Sequence, residues 1–394
     1  MPLHAPPRET AAAGLRAQAA APRMTTLPAT FVNGRFIGRP VTGVERFATL
    51  VLKQIVARAE AEPDLRWTVL APSGVERPSW LGPLPFRNVG RLSGHPWEQT
   101  ELFWASRSGT LVNLCNSGPV LHGDQLTVIH DALVYRHPEN FSRLYGTVHR
   151  QLGHLLARRA RLATVSEFSQ RELSGLLGVP AASIAVIPNA VDHMAEIEPD
   201  VSVLDRFGLH GKRFLLAVGS PAPNKNLARA VRAFLSLNRD DISFVMVGKA
   251  AAAFARSDLG DVPPTVVATG RLSDAEVQAL YRSAVALIFP SLYEGFGIPP
   301  LEAMTAGCPV LAADIPAVRE VCADAALYFD PLDEASMADA MRRCADPAFE
   351  GASLREAGHL RTRAFSWEAS ALRLLEALRP LEATPRDPKH AGGR

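Results

Sequence analysis

The sequence predicts an α/β protein built from two doubly wound domains that face each other across a cleft. Three observations predict it. The chain has 394 residues, and one hydrophobic core ordinarily organises about 100–200. Short β-rich runs alternate with amphipathic helical patterns, which is the sequence form of parallel sheets with helices on both faces. Hydrophobic residues make up 47% of the chain and charged residues 21%, with a mean hydropathy of +0.03, the composition of a soluble globular protein.

The same figures exclude several classes. A formal net charge of +2 argues against a dedicated nucleic-acid binder. No apolar run approaches the roughly 20 residues of a membrane helix. Cys115, Cys308, Cys322 and Cys344 show no metal or redox spacing and sit among small or apolar neighbours. They read as buried free thiols of a reducing compartment.

Taken in order, residues 1–27 are rich in Ala, Arg and Pro without the continuous apolar core of a secretory signal. They are expected to form a flexible arm, with Met24 an alternative start. A first domain over 28–195 follows. Its strands are expected at 67–70, 110–114, 126–130, 162–165 and 184–187. Residues 44–59 carry apolar side chains near a 3.6 period and make a helix. Residues 196–211, which include Pro199 and one short turn, are the linker. The second domain, 212–366, alternates more cleanly, with strands at 214–218, 244–247, 266–268, 286–289, 310–312 and 326–329. After the first of these, Leu227, Ala230, Val231, Phe234 and Leu235 form one helical stripe. Ser273 and Glu276 have capping-box spacing. Residues 367–380 read as an amphipathic helix, and 381–394 as a disordered polar tail.

Ligands of open α/β sheets bind beyond the carboxyl ends of the strands, so the chemistry belongs to the loops there. One loop runs Phe289-Pro-Ser-Leu-Tyr-Glu294-Gly295-Phe296-Gly297-Ile-Pro-Pro-Leu-Glu302. Gly295 and Gly297 allow close approach of a ligand, and Pro299 or Pro300 suits a first helical turn. The free amides of that turn attract phosphate, while the two flanking acids suit sugar hydroxyls. A plain tight turn with two exposed acids is the competing reading. A second loop, Val218-Gly219-Ser220-Pro-Ala-Pro-Asn224-Lys225-Asn226, places Lys225 at a helix start, where a bound anion would offset the unfavourable dipole. A solvated Lys beside an Asn cap would look the same. His130 and Asp131 end a strand, Gly43 opens the first long helix, and Ser166 reads as a simple N-cap.

The chain resembles the retaining glycosyltransferases of family 4, two Rossmann-like domains in the GT-B arrangement, and within them the bacterial polysaccharide-type enzymes. The matching pieces are TGVERF, WEQ, NLCNSGP, VIHD, TVSEFSQREL, PNAVD, VGSPAPNKN, GRLSDAEVQALYRSA and YEGFGIPPLEAMTAGCPVLAADIPAVREV. They extend over roughly residues 31–365, and the Glu294-to-Glu302 loop is the most specific of them.

The resemblance implies roles by position. Lys225, Glu294 and His130 would be catalytic, Lys225 steadying the leaving diphosphate and His130 touching the transferred sugar. Gly43, Gly219, Ser220, Arg271, Gly295, Phe296, Gly297 and Glu302 would bind the donor, Glu302 through ribose hydroxyls. The nucleotide base would lie near Gly248 and Arg271, and Asn189 near the domain junction. The chain departs from the family in having Ser220 and Asn224 where many relatives carry a second phosphate cation: either Lys225 acts alone, or Arg46 or Arg271 reaches in.

The implied reaction moves a hexose, with GDP-mannose favoured as donor, to a growing surface-polysaccharide or lipid-linked glycan. It needs no metal or other cofactor, and no Asp-x-Asp motif follows a strand. A sugar-nucleotide epimerase on a similar fold and a non-catalytic subunit of a polysaccharide assembly are the alternatives.

On the acceptor side stand Asp131, Arg158 and Arg159. The segment 136–161 adds Arg136, Arg143, Arg150 and Arg161 with Glu139 as its one acid, a face suited to anionic lipid. Trp97 and Trp104 border either the acceptor or the core. The expected location is the cytoplasm, peripheral on the inner face of the plasma membrane. In the family the last helix returns to the first domain, which would make that domain discontinuous.

Overall fold

The structure, a computed structural model, describes residues 29–61, 66–248 and 263–379. The expected arm and tail lie outside the described residues.

The first unit is a seven-stranded, all-parallel sheet. Its strands are β1 (Thr30–Asn33), β2 (Trp67–Pro72), β3 (Phe86–Val89), β4 (Thr110–Asn113), β5 (Gln125–Val128), β6 (Arg161–Thr164) and β7 (Ile184–Val186), in the order β3-β2-β1-β4-β5-β6-β7. Its helices are α1 (Gly43–Ala61), α2 (Gly94–Trp97), α3 (Phe103–Ser106), α4 (Leu133–Arg136), α5 (Arg143–Ala157) and α6 (Glu167–Leu177), with a π-helical turn, Glu98–Leu102, between α2 and α3. The short α7 (Ser202–Arg206) follows.

The second unit is a six-stranded parallel sheet of β8 (Arg213–Val218), β9 (Ile242–Val247), β10 (Val266–Gly270), β11 (Ala286–Phe289), β12 (Val310–Ala313) and β13 (Leu327–Phe329), in the order β10-β9-β8-β11-β12-β13. Its helices are α8 (Leu227–Leu235), α9 (Asp274–Ser283), α10 (Ile298–Thr305), α11 (Pro316–Cys322), α12 (Glu334–Ala345) and α13 (Ala352–Thr362), and α14 (Trp367–Leu378) ends the described chain.

The strand order reverses between β1 and β4 in one sheet and between β8 and β11 in the other. Diverging loops at such a switch point open a crevice at the carboxyl edge. The loops that leave β8 and β11 are the two Lys- and Glu-bearing segments.

The central strands are buried on both faces. β4, β5, β11 and β12 have every residue buried, as expected of parallel sheets with helices on each side. The sequence pattern had not marked β1 or β3. Four residues give β1 too little periodicity. β3 (Phe-Arg-Asn-Val) is an edge strand with an exposed middle.

The linker is packed rather than loose. Val203, Leu204 and Leu209 are buried in the core, the Asp200 amide donates to the Ala275 carbonyl at 3.0 Å, and Gln278 Nε2 donates to the Met194 carbonyl at 3.3 Å.

α14 lies against α1. Buried Trp367 meets Phe47 edge-on at 6.1 Å. Ser370 Oγ donates to the Pro188 carbonyl at 2.6 Å, and Arg161 donates to the Leu378 carbonyl at 2.9 Å. That last contact satisfies a carbonyl at the helix end.

Candidate functional site

Lys225 and Glu294 form the centre of the crevice. The Lys225 ammonium and a Glu294 carboxylate oxygen meet at 2.5 Å, both side chains mostly shielded from solvent. Lys225 closes a 3-10 turn (Pro223–Lys225) rather than opening α8. Asn226, at φ 56, occupies the cap position but does not cap the helix. Its amide donates instead to the Pro290 and Pro331 carbonyls at 3.1 and 2.8 Å. Buried Asn224 donates to the Tyr293 carbonyl at 3.2 Å and accepts the Leu292 amide on its own carbonyl at 2.7 Å. The β8 and β11 loops are thereby joined, and Lys225 is held over the face of Phe289 at 5.9 Å.

Gly297, at φ 104, turns the chain into α10 with Pro in the first turn. A left-handed φ there excludes a side chain at no cost only for glycine. The start of α10 abuts the start of α1: a Cβ on Gly43 would reach Ile298 Cδ1 at 3.2 Å. Two helix N-termini, one from each unit, therefore converge at the end of the Glu294–Gly297 loop, a setting that favours an anion.

Gly295 brings the loop against the first unit. A Cβ there would collide with the His130 carbonyl oxygen and stand 2.8 Å from Asp131 Cβ. The Gly295 carbonyl accepts from Ser166 Oγ at 2.6 Å and Ser169 Oγ at 3.0 Å. Ser166 is thus both the N-cap of α6 and a contact across the cleft.

His130 is buried, with Nε2 on the Leu114 carbonyl at 2.8 Å and its ring edge-on to Phe47 at 4.9 Å. Burial pushes its pKa down to about 4, so the imidazole is neutral at physiological pH. The carbonyl partner places the ring proton on Nε2. Asp131 Oδ1 accepts the Leu133 amide at 2.8 Å. Burial pushes its carboxyl up, the Leu133 amide pulls it down, and the charges of Glu294 and Lys225 act on it with opposite sign. The expected acceptor-side acid therefore stands beside the expected catalytic pair.

Glu302 lies deeper. It is buried and accepts the Tyr281 hydroxyl at 3.1 Å. Burial raises its pKa against the opposing charge of Arg46. Phe296 is buried edge-on to Phe365 at 5.6 Å, so its side chain serves packing and only its backbone is left for a ligand. Gly219 is half-buried, and a Cβ on it would lie 3.9 Å from the Lys225 stem, whereas Ser220 and Arg271 are exposed.

Two expectations are corrected here. Arg46 does not stand in for the second phosphate cation, because its guanidinium is forked onto Asp274 at 2.9 and 2.7 Å and bonded to His193 at 3.1 Å. That fork joins α1 to the start of α9. Nor do the arginines of 136–161 form one free face. Arg136 is forked onto Glu172 at 2.6 and 2.8 Å, and Arg161 holds Asp124 and the end of α14. Arg158 and Arg159 remain exposed. Trp97 belongs to the core, its Nε1 donating to the Val89 carbonyl at 2.8 Å, whereas Trp104 is exposed.

Sequence reasoning missed Asn224, Tyr293 and Ser169 as the residues that hold the site closed. Tyr293 accepts the Ala132 amide on its hydroxyl at 3.3 Å. The only local signal was Ser169 within the capping sequence. The other contacts join positions too distant for any spacing rule.

The chain matches the family model described as glycosyl transferases group 1 over residues 205–355 and that described as glycosyltransferase family 4 over residues 120–194. It is 28% identical over 228 residues to the O-antigen chain mannosyltransferase RfbU of Salmonella typhimurium, covering 57% of this chain and 61% of that one. It is 27% identical over 279 residues to O-antigen chain mannosyltransferase B of Escherichia coli, covering 65% and 70%. The match to RfbU thus spans less than two thirds of that relative's length. Among solved structures, Anabaena HepE in complex with UDP and glucose superimposes with a TM-score of 0.68 at 17% identity, covering 89% of this chain and 99% of that one. At that identity the likeness is one of fold.

Proposed function

The chain belongs to the two-domain glycosyltransferases of family 4, and from that premise we propose that it transfers a hexose from a nucleotide diphosphate sugar to a surface-polysaccharide or lipid-linked glycan. The observation that carries this reading is the Lys225–Glu294 pair beside two converging helix N-termini, opposite Asp131 and His130. The names of the mannosyltransferase relatives favour mannose, and on that reading we take GDP-mannose as the donor.

Breaking a sugar–diphosphate bond leaves negative charge on the phosphate and positive charge on the sugar. Lys225 and the amides of α10 and α1 are placed to stabilise the first, which is the usual large contribution in such sites. A diphosphate that takes Lys225 frees Glu294 to accept hydrogen bonds from sugar hydroxyls. The neutral His130, fixed by Leu114, adds no positive charge next to the developing cation. Gly295 lets the reacting loop close against the first unit, an approach that would help to exclude water. We read the reaction as retaining and metal-independent: loss of turnover in chelator, restored by Mn²⁺, would contradict the second point.

The lipid-linked acceptor and an inner-membrane position are supported by α5. Leu144, Val148 and Leu155 are exposed at helical spacing on its outer side, with Arg143, Arg158 and Arg159 near its ends. An apolar stripe flanked by arginines suits the surface of an anionic bilayer. No helix among the described residues is long and apolar enough to cross a membrane.

A thermal-shift screen across nucleotide sugars tests the core of the proposal. One donor should stabilise the protein, and Lys225→Ala and Glu294→Ala should each abolish that shift. A shift that survives both substitutions refutes the site. Formation of an epimer from donor alone would show the epimerase instead.

A further inference from the structure

The first unit carries a second built cluster, distinct from the Lys225 centre. Glu98 is fully buried on the π-helical turn, and its carboxylate has four partners. Arg35 Nε lies at 3.1 Å, His95 Nδ1 at 2.9 Å, Asn33 Nδ2 at 2.8 Å and Ser117 Oγ at 2.8 Å. A second Arg35 nitrogen donates to Ser117 Oγ at 2.8 Å. The remaining guanidinium nitrogen has no partner among the described residues, and the side chain keeps 16% of its exposure.

A carboxylate with no exposure is costly to bury, and an apolar residue would hold the fold as well. Here the buried charge fixes an arginine and a histidine in place. π-Helical turns are frequently found at functional sites.

His95 meets His149 edge-on at 5.1 Å. His149 stacks on Tyr145 at 3.7 Å, and Tyr145 stacks on Phe141 at 5.3 Å with the rings 10° from parallel. His149 Nδ1 donates to the Tyr145 carbonyl at 3.0 Å, which leaves Nε2 as the acceptor nitrogen of the ring. Tyr145 is 46% exposed, and its hydroxyl lies within electrostatic reach of Arg35, Arg39, Glu45 and Asp131. Asn140, the residue before Phe141, donates to Asn224 of the β8 loop at 3.4 Å, so the strip starts beside the Lys225 centre and runs through His149 to His95, whose partner Glu98 also holds Arg35.

Resting on the glycosyltransferase reading, we propose that this strip is the acceptor subsite. A pyranose lies along the Phe141–Tyr145–His149 edge, and a phosphate carried by the same acceptor is held by Arg35. Flat aromatic surface suits the apolar side of a sugar ring, and a fixed, partly free guanidinium suits a phosphate oxygen. The apolar stripe of α5 borders the strip, since Leu144 and Val148 adjoin Tyr145 and His149 in sequence. The phosphate is accordingly assigned to a lipid diphosphate rather than to a free sugar phosphate.

Titration calorimetry of the full chain with three probes tests this: a short-chain prenyl-diphosphate-linked hexose, a free hexose 6-phosphate and the methyl hexoside. The expected order of affinity is as written. Tyr145→Ala should weaken the first probe by roughly tenfold or more, with Tyr145→Phe retaining it, and Arg35→Gln should erase the preference for phosphate. The donor-induced thermal shift should be unchanged in all three. Because Arg35→Gln leaves buried Glu98 short of a partner, Tyr145→Ala, on an exposed side chain, is the decisive variant if Arg35→Gln does not fold. Equal affinity for the three probes, no binding of any, or wild-type affinity in Tyr145→Ala overturns the subsite. Tighter binding of hexose 6-phosphate than of the prenyl probe overturns the lipid assignment. A wild-type chain that no nucleotide sugar stabilises overturns the glycosyltransferase reading instead.

Discussion

Lys225 Nζ and Glu294 Oε1 lie 2.5 Å apart although 69 positions separate the two residues in the chain. Each neutralises the other until an anion competes for the lysine. Lys225→Ala should lower the rate of nucleoside diphosphate release about 10²–10³-fold, the loss typical of one electrostatic stabiliser of a transition state. Glu294→Gln keeps a hydrogen-bonding group but not its charge, and it should raise the donor KM more than it lowers kcat. Steady-state kinetics with the donor found by screening separates the two. Equal effects on both parameters in both variants would show that the residues do not divide the work in this way.

Gly295 and Gly43 should respond differently to the same change. Gly295→Ala forces a methyl group into the His130 carbonyl and Asp131, which are backbone and backbone-near atoms that cannot turn aside. Gly43→Ala meets only the end of the Ile298 side chain. The first should cost about 1–3 kcal/mol and open the cleft, and the second should cost less. Chemical denaturation with small-angle scattering checks both. Equal stability and equal dimensions in the two variants would contradict the close approach.

Folding stability should fall on acidification through His130. Its folded pKa, about 4, lies below the ordinary value near 6.5. The unfolded chain therefore takes up the proton first, and the stability present above pH 6.5 is lost as pH falls toward 4, by roughly 3 kcal/mol at most for this group. His193, whose pKa is also depressed to about 4 by burial and by the charge of Arg46, acts in the same direction. Urea unfolding at pH 7.5 and pH 5 should show the loss, and His130→Gln should shrink it. An undiminished loss in that variant would remove His130 from the account.

On vesicles containing acidic lipid, the protein should co-sediment, and it should be released by salt in part. Leu144→Glu with Val148→Glu should reduce pelleting more than Arg158→Glu with Arg159→Glu, because burial of apolar area anchors what charge only attracts. Unchanged pelleting in both double variants would sink the membrane reading.

Much of the architecture was legible in the residues. The six strands of the second sheet follow from apolar runs between turn residues, and the capping box at Ser273 and Glu276 forms as its spacing predicts. The loop from Phe289 to Glu302 declared its glycines, prolines and acids in one stretch. β1 and β3 were not legible, being four residues each with no usable period.

The sequence by itself determined the alternation of strand and helix, and hence two parallel sheets with ligand loops at their carboxyl edges. It also supplied the chemistry of those loops, a lysine, two acids and glycines at helix starts, because these depend on residue type and short spacing. Only the tertiary structure decided which groups meet. Lys225 pairs with Glu294 and Asn224 bonds to the β11 loop because β8 and β11 are neighbours in the sheet. Arg46 is withdrawn from the phosphate site because Asp274 stands opposite it across the two units. Glu98, unremarkable as a letter in a helix, gains Asn33, Arg35 and Ser117 as partners from outside its own helical stretch, in addition to its neighbour His95. Local pattern fixes periodicity and caps over a few residues, whereas pairing of charges across a fold depends on strand order and helix packing, which no short stretch of sequence records.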